Sequence, residues 1–461
     1  MRDAHEYFVD QPGAETRKLH LLDNDGLASW LSAATDIQRR WVQDNAFDAD
    51  PGTVLGLPGE TGQVADLLAG LGSQKPDLRG IAAIVASIPP GDYQFAEADT
   101  ATELLAVGWA IGQYRFARYR TEDPGVRRLV WPAGVDQHRV LNAVAADALV
   151  RDLVNTPASD MGPAELEAAA LDLAGQFGAD WRVVNGSALL EQGLPAIHAV
   201  GRASVREPRL IDLRWGDAKH PRLTLVGKGV CFDSGGLNIK PAAGMRYMKK
   251  DMGGAAHVLG LARMIMAADL QVHLRVLIPA VENSIAGNAY RPGDVIKTRK
   301  GLTVEIGNTD AEGRMVLCDA LTLADEESPD LIIDLATLTG AARVALGPEL
   351  PAMFCTEDSL ADQLSQHAAS SEDPLWHMPL WKPYDSDLSG AVADVNHIAG
   401  NPFAGAIYGA LFLRRFVGEE TRWVHLDVYA WNGKSRPGRP EGGEAQSVRA
   451  LFGLLEARYR Q

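Results

Sequence analysis

The fold is decided by residues 222–254, which read RLTLVGKGVCFDSGGLNIKPAAGMRYMKKDMGG. The stretch begins as a short apolar strand pattern, continues as a glycine-rich polar loop and leads into a helical pattern. The same succession recurs along the chain. Strand patterns occupy residues 222–226, 274–281, 303–306, 331–335 and 424–428, and helical patterns occupy residues 164–177, 255–268, 316–326 and 409–417. The alternation predicts an α/β domain with a largely parallel sheet.

Polar loops that contain glycine follow three of these strands, at residues 227–250, 307–314 and 337–340. Ligands of such sheets bind just outside the ends of the strands. We therefore expect a site where these loops meet.

The first two loops carry acidic side chains that could meet there: Asp233, Asp251, Asp310 and Glu312. Asp310 and Glu312 are two residues apart directly after a strand pattern, and in extended backbone that spacing points both carboxylates to one side. Carboxylates forced together repel and usually need a cation. Oxygen-rich clusters suit divalent ions, and two ions can share bridging carboxylates. The alternative interpretation is a set of solvated loop acids.

Composition limits the functional classes. The chain has 461 residues, 46% hydrophobic and 23% charged, which is typical of a globular protein. Its net charge of −16 argues against nucleic-acid binding as the main role. Three cysteines without a CxxC pair fit a reducing compartment. The polar N-terminus shows no signal-peptide pattern, and the apolar stretch at 398–413 is too short to span a bilayer, so we expect a soluble, cytoplasmic protein without a membrane partner.

Other catalytic motifs are incomplete or absent in this sequence. The DSGG at 233–236 is preceded by Phe232 where trypsin-like proteases have glycine. The GKG at 227–229 is not a P-loop, and no HExxH occurs among the 11 histidines. Cys231 and Cys318 lie near the key loops, where buried apolar roles are favoured over catalysis.

At these loops the chain resembles the leucyl aminopeptidases, or cytosol aminopeptidases, of the M17 metallopeptidase family. The resemblance covers roughly residues 140–461. NTDAEGRM at 308–315 matches the family signature except at Met315. VGKG, FDSGG, IKP and MKKDMGGAA match the other metal loop. Further similar segments are NTPASD (155–160), GNAYRPGD (287–294), DLATLTGA (334–341), GAIYGALFL (405–413) and HLDVYAW (425–431).

The resemblance implies a two-domain α/β protein. A variable N-terminal α/β domain would span residues 1–130, a connecting helix region residues 131–154, and a catalytic domain with a mixed central sheet flanked by helices residues 155–461. Residues 138–153 have apolar residues at helical spacing and end before Pro157. The family assembles as homohexamers.

The resemblance also implies a dinuclear metal site. The tighter ion would take Lys228, Asp233, Asp251 and Glu312, and the more exchangeable ion would take Asp233, Asp310 and Glu312. From spacing alone, Lys228 would be predicted to bind the substrate through its positive charge. A lysine ligates a metal only in its neutral form, and only a metal that competes with the proton holds it neutral. Mn²⁺ or Zn²⁺ is favoured, although this donor set would also accept Mg²⁺ or Co²⁺.

The implied chemistry is attack of a metal-activated water on the first peptide bond of a substrate with a free N-terminal amine. Lys240 would stabilise the gem-diolate, and Arg314 would hold a bicarbonate that takes the proton. Met248 and Thr337 would line the pocket for the first side chain, and the carbonyl of Leu338 would receive a substrate amide. An apolar pocket predicts a preference for leucine and other apolar residues.

Departures from the family pattern lie near this pocket. Val428 and Tyr429 replace a more usual pair of small residues, and the tail carries an additional GGE at 442–444. They put the side-chain preference in question rather than the chemistry. The alternatives are a dipeptidase of the same family with narrow specificity, or a non-catalytic relative that binds DNA or has a regulatory role.

Overall fold

The computed structural model describes residues 3–60, 62–97, 102–121 and 124–460. The chain forms two compact units. The first comprises Met1–Ala148 with Gly433–Glu441, and the second comprises Leu149–Asn432 with Gly442–Gln461. The predicted two-domain α/β class is confirmed. The domain limits at residues 130 and 154 stay a prediction.

The first unit is built on a sheet in which most neighbours are parallel. Its strands are β1 (Phe8–Val9), β2 (Arg17–Asp23), β3 (Val54–Pro58), β4 (Val64–Gly72), β5 (Gly91–Phe95) and β6 (Arg127–Val130). Its helices are α1 (Asn24–Ala33), α2 (Asp36–Asp44), α3 (Leu78–Ser87) and α4 (Glu103–Ile111). The strand order is β1-β6-β5-β2-β4-β3, and only the β3–β4 pair among these described strands is antiparallel.

A long helix, α5 (Gln137–Asn155), crosses the division between the units at residue 148. The helix predicted at 138–153 is confirmed. It ends where Pro157 would remove a backbone donor and clash with the preceding turn.

The second unit holds the remaining elements. Its strands are β7 (Asp180–Asn185), β8 (Arg209–Trp215), β9 (Arg222–Gly227), β10 (Gly229–Asp233), β11 (His273–Asn283), β12 (Val295–Lys297), β13 (Thr303–Glu305), β14 (Leu331–Ala336), β15 (Ala352–Cys355), β16 (Trp376–His377), β17 (Val395–Asn396), β18 (Trp423–Asp427), β19 (Trp431–Asn432) and β20 (Gly442–Gly443). Its helices are α6 (Pro163–Phe177), α7 (Ala188–Glu191), α8 (Pro195–Gly201), α9 (Ala242–Met245), α10 (Gly253–Ala267), α11 (Glu312–Asp325), α12 (Gly340–Leu346), α13 (Asp358–Ser370), α14 (Gly405–Arg414) and α15 (Val448–Tyr459).

The main sheet of this unit is mixed. Its order is β16-β15-β18-β14-β9-β11-β8-β7, with β10 paired to β11. The central pairs β18–β14, β14–β9 and β9–β11 are parallel, whereas β15–β18, β11–β8 and β8–β7 are antiparallel. Every residue of β14 is buried, as expected for a parallel strand covered on both faces. Helices α8, α11 and α14 form one packed group against the sheet, and α6, α10 and α15 form another.

Two of the polar loops follow strands of the main sheet, and the third follows β13, which pairs with β12 and β17 in a separate three-stranded sheet. The segment after β9 and β10, the segment before α11 and the segment after β14 carry the polar residues singled out above. In the part of the chain that the structure describes, no helix is long and apolar enough to cross a membrane.

His257 lies buried within α10 and is held neutral. Its Nδ1 lies 2.6 Å from the Gly253 carbonyl oxygen, and its Nε2 accepts a hydrogen bond from the backbone N–H of Gln446 at 2.9 Å. Burial lowers the pKa of His257 to about 4. The imidazole therefore resists protonation until well below the pH at which a histidine of the unfolded chain takes up a proton.

This histidine predicts acid sensitivity of the fold. The pKa of His257 in the folded chain lies below its value of about 6.5 in the unfolded chain. Its contribution to the free energy of unfolding is therefore complete above pH 6.5 and is lost as the pH falls towards 4. Between pH 7.5 and 5.0 we expect the free energy of unfolding of the wild type to fall about 2 kcal/mol further than that of His257→Gln. Urea unfolding at both pH values measures the difference. The exposed His377→Gln is the control, and equal losses in wild type and His257→Gln would contradict the prediction.

Candidate metal centre

The first group of candidate ligands lies around β10. Lys228 stands between β9 and β10, and Asp233 is the last residue of β10. Asp251 lies in a 3₁₀-helix, Met248–Met252, that leads into α10. All three side chains are buried, with exposed fractions of 2–3%.

Asp310 and Glu312 are placed differently from the extended arrangement expected. Asp310 lies in a 3₁₀-turn, Thr309–Ala311, and Glu312 is the first residue of α11. The turn forms because the side chain of Asn308 caps it and accepts the backbone N–H of Asp310 at 2.8 Å. The premise of an extended backbone was therefore wrong. The turn still gathers the carboxylates, since oxygens of Asp233, Asp310 and Glu312 lie within 4.8 Å of one another.

Two ammonium groups lie among the carboxylates. Lys228 Nζ is 2.8 Å from both Asp251 Oδ2 and Glu312 Oε1. Lys240 Nζ is 2.8 Å from Asp233 Oδ2 and 2.5 Å from Asp310 Oδ1. The four carboxylates carry four negative charges and the two ammonium groups carry two positive ones. Two negative charges therefore remain unbalanced in a largely buried region.

The pKa shifts reflect this crowding. Burial raises the pKa of Glu312, and repulsion from Asp233 raises it further. Burial and the Asp251 carboxylate likewise raise the pKa of Asp233. Burial alone would lower the pKa of Lys228, but Asp251, Glu312 and Asp233 outweigh it and raise that pKa. The cluster thus favours any added positive charge.

The residues present fit metal ions. Glu312 is 1% exposed, and its Oε2 has no hydrogen-bond partner among the described residues. A buried carboxylate oxygen without a partner is costly unless a cation meets it. Oxygen donors with one lysine nitrogen suit divalent ions of the Mn²⁺ and Zn²⁺ type. As a ligand, Lys228 would give up its proton to the competing metal.

A layer of polar contacts supports the cluster from behind. Asn283 ends β11 and is 1% exposed, and its Nδ2 donates to Asp233 Oδ1 at 2.8 Å and to the Thr309 carbonyl at 3.0 Å. The Tyr290 hydroxyl donates to the same carbonyl at 2.7 Å. Asn283 was not predicted, because it lies two residues beyond the strand predicted at 274–281, which the structure extends to Asn283. Tyr290 lies within the GNAYRPGD segment.

Arg314 lies two residues beyond Glu312 on α11. Its Nη1 donates to the backbone carbonyl of His397, and its Nε has no hydrogen-bond partner among the described residues. Burial lowers the pKa of Arg314 to about 10, which leaves it charged at neutral pH. The guanidinium therefore keeps donors for an anion.

His397 was not predicted, and it connects Arg314 to the metal loop. Its Nδ1 accepts the backbone N–H of Gly307 at 3.1 Å, so its Nε2 carries the proton and donates to the Asn308 carbonyl at 2.9 Å. Burial lowers the pKa of His397 to about 3, so the ring is neutral. Its only signal in the sequence was a histidine in a loop before a helix.

The predicted substrate-binding residues lie beside Asp251. Met248 is half-buried in the same 3₁₀-helix, and the hydroxyl of Thr337 donates to Asp251 Oδ1 at 2.7 Å. Leu338 follows Thr337, and its backbone N–H donates to Asp427 Oδ1 at 2.9 Å. Sequence reasoning assigned no role to the buried Asp427, although it lies in the HLDVYAW segment.

Two family models match most of the chain. The one described as "Cytosol aminopeptidase family, catalytic domain" matches residues 148–452, and the one described as "M17 aminopeptidase, N-terminal domain" matches residues 18–132. The second match covers the part of the chain in which sequence reasoning found no motif.

Curated relatives and solved structures agree. The chain is 41% identical over 371 residues to a "Probable cytosol aminopeptidase" of Geobacter sp. (strain M21), covering 77% of this chain and 75% of the relative. It is 40% identical to that of Roseiflexus castenholzii, covering 84% and 86%.

The crystal structure of the cytosol aminopeptidase from Coxiella burnetii is 46% identical, with a TM-score of 0.95 over 99% of this chain and 100% of that one. The bottromycin maturation enzyme BotP in complex with Mn is 33% identical, with a TM-score of 0.86 over 96% and 100%. With its fold, its acidic cluster and both family domains in agreement, the chain belongs to the cytosol aminopeptidase (M17) family of metal-dependent peptidases.

Proposed function

We propose that this chain is a leucyl aminopeptidase that removes leucine and other apolar residues from peptides with a free N-terminal amine. The observation that carries the proposal is the buried cluster of Asp233, Asp310 and Glu312 within reach of the Lys228 and Lys240 ammonium groups. Such a cluster at the edge of a sheet suits hydrolysis by two divalent ions.

The ligands are divided as the family resemblance implies. Lys228, Asp233, Asp251 and Glu312 hold the tighter ion, and Asp233, Asp310 and Glu312 hold the more exchangeable one. When bound, the ions polarise the substrate carbonyl and make water acidic enough to attack at neutral pH. Mn²⁺ or Zn²⁺ is the proposed pair, and the similar BotP structure in complex with Mn supports manganese.

Lys240 supplies the charge that the reaction needs at the attacked carbonyl. Burial alone would lower its pKa, but the Asp233 and Asp310 carboxylates outweigh burial and raise it, so the side chain stays an ammonium. A fixed positive charge in a partly dry site stabilises the oxyanion more than the neutral carbonyl.

Arg314 would hold a bicarbonate ion, which would supply a base for the proton of the attacking water. The proposal rests on the unpartnered Nε of this buried guanidinium. His397, whose carbonyl accepts from Arg314, donates through Nε2 to a backbone carbonyl and accepts through Nδ1, so it has no free nitrogen to serve as a base. A small bound anion supplies the basic oxygen that the surrounding side chains do not.

The backbone after β14 orients the substrate. The N–H of Thr339 donates to Asp427 Oδ2 at 3.0 Å. Because a trans peptide points its carbonyl away from its N–H, the Leu338 carbonyl faces away from Asp427 and accepts a substrate amide. Met248 and Thr337 line the pocket for the first side chain. One methylene changes binding by about 1–3 kcal/mol, so the preference among apolar residues is broad.

The proposed setting is a cytoplasmic homohexamer. The relatives named "cytosol" aminopeptidases support the compartment. Large apolar side chains exposed on the second unit, among them Trp376, Trp381 and Phe403, support burial against further copies.

The first test is release of p-nitroaniline from leucine p-nitroanilide. We expect cleavage only with added Mn²⁺ or Zn²⁺, loss of cleavage when the substrate amine is acetylated, and a fall of about 10²-fold or more in kcat for Lys240→Ala. Cleavage of the acetylated substrate at an equal rate would contradict an aminopeptidase. No cleavage of this substrate or of a dipeptide panel with any metal would favour the relative without catalysis.

The second test is metal binding. Equilibrium dialysis with Mn²⁺ should give two ions per chain in the wild type and fewer in Glu312→Gln, because Glu312 contributes to both proposed sites. Glu326→Gln makes the same change at the exposed end of α11 and should keep both ions. Equal stoichiometry and affinity in the two variants would refute the assigned ligands.

The third test is the mass in solution. Six copies of the 49.6 kDa chain give about 298 kDa, which light scattering coupled to size exclusion distinguishes from smaller closed assemblies. A mass near that of one chain at micromolar concentration would exclude the hexamer.

A further inference from the structure

Lys250 is a buried cation that the chemistry above does not use, and it lies against Tyr429, one of the departures from the family pattern expected near the substrate pocket. It is 4% exposed, and it precedes Asp251 in the 3₁₀-helix that also carries Met248. Its Nζ lies 4.5 Å from the centre of the Tyr429 ring. In the described parts of the chain no side chain or carbonyl accepts a hydrogen bond from this ammonium. Buried ammonium groups without acceptors are costly and mark functional positions.

The carboxylates near Lys250 are committed elsewhere. Asp251 accepts from the Thr337 hydroxyl and pairs with Lys228. Asp427 accepts from the backbone of Leu338 and from the N–H and hydroxyl of Thr339. The Lys250 ammonium therefore rests on a ring face and keeps its N–H donors for a ligand.

Tyr429 is fixed in place. Its hydroxyl accepts from Arg343 Nη1 at 3.1 Å, and its backbone N–H donates to Gln446 Oε1 at 3.0 Å. Arg343 Cζ also lies 5.2 Å from the ring centre. The ring thus provides a rigid support that holds the Lys250 ammonium by a cation–π contact.

We propose that Lys250 makes this pocket accept an acidic first side chain, so that peptides beginning with glutamate are substrates alongside apolar ones. The inference rests on the proposed aminopeptidase function. The glutamate carboxylate would accept hydrogen bonds from the ammonium, and the four-atom reach of this side chain exceeds that of aspartate. An apolar pocket would instead reject a buried carboxylate.

Lys249 is a matched control on the same short helix. Three residues per turn direct the side chains of residues 249 and 250 to different flanks. Lys249 donates to the Asn155 carbonyl and lies 5.4 Å from the ring centre of Trp431. Lys249→Met and Lys250→Met therefore remove the same charge from neighbouring positions with different surroundings.

The experiment compares kcat/KM for glutamyl, methionyl and leucyl p-nitroanilides in the metal-loaded protein. Methionine and glutamate are similar in length, so their ratio reports the charge. We expect the Glu/Met ratio to fall about ten- to hundredfold in Lys250→Met, since a hydrogen bond to a charged group is lost. The ratio should change less than about twofold in Lys249→Met and be largely kept in Lys250→Arg. An unchanged ratio in Lys250→Met overturns the proposal.

Of two further readouts, the first does not need the variant and the second does not need turnover. In the unmodified protein, glutamyl substrate should fall within about thirtyfold of methionyl substrate, and a larger disadvantage overturns the proposal. By calorimetry, glutamic acid α-amide should bind more weakly to Lys250→Met than to wild type, whereas methioninamide should not, and the opposite pattern overturns it. If no substrate is cleaved but this difference in binding holds, the proposed function fails and the role of Lys250 stands.

Discussion

Repulsion among buried carboxylates is the constraint on which the site depends. Asp233, Asp251 and Glu312 are each at most 3% exposed, and such groups are tolerated close together only when cations lie between them. Lys228 and Lys240 meet part of that need from within the chain. They leave two negative charges over, so the protein alone can hold the cluster together while an added cation is still favoured.

The fold brings these charges together because parallel strands end at one edge. Asp233 ends β10, Thr337 follows β14, and Glu312 begins the helix packed against the same sheet. Hydrogen bonds from buried polar side chains then fix the loops. Asn283 holds Asp233 and the Thr309 carbonyl, and Asp427 holds the turn after β14. Rigid strands and short loops held by hydrogen bonds keep the carboxylates close together despite their repulsion.

Much of this could be predicted from sequence. Periodicity predicted five strands of the second unit (β9, β11, β13, β14 and β18) and the helix at 138–153, and family motifs indicated which charged residues would share a site. The conformation of Asp310 and Glu312 could not be read from their spacing, because one capping bond from Asn308 turns the chain. His397, Asn283 and Asp427 were missed because each bonds at least one backbone group of a distant loop, and such contacts leave no pattern of residue types. The segment Gly433–Glu441 groups with the first unit through contacts distant in sequence.

The proposals assign metal binding and side-chain preference to different residues of one short helix. In Met248–Met252, Asp251 points into the cluster while Lys250 rests on the ring of Tyr429. Because three residues make a turn, a substitution at 250 need not move the carboxylate at 251. Tyr429 in turn belongs to the loop after β18, which Gln446 anchors through backbone N–H groups rather than through side chains. A change of charge at position 250 therefore need not disturb the residues proposed to hold the metal.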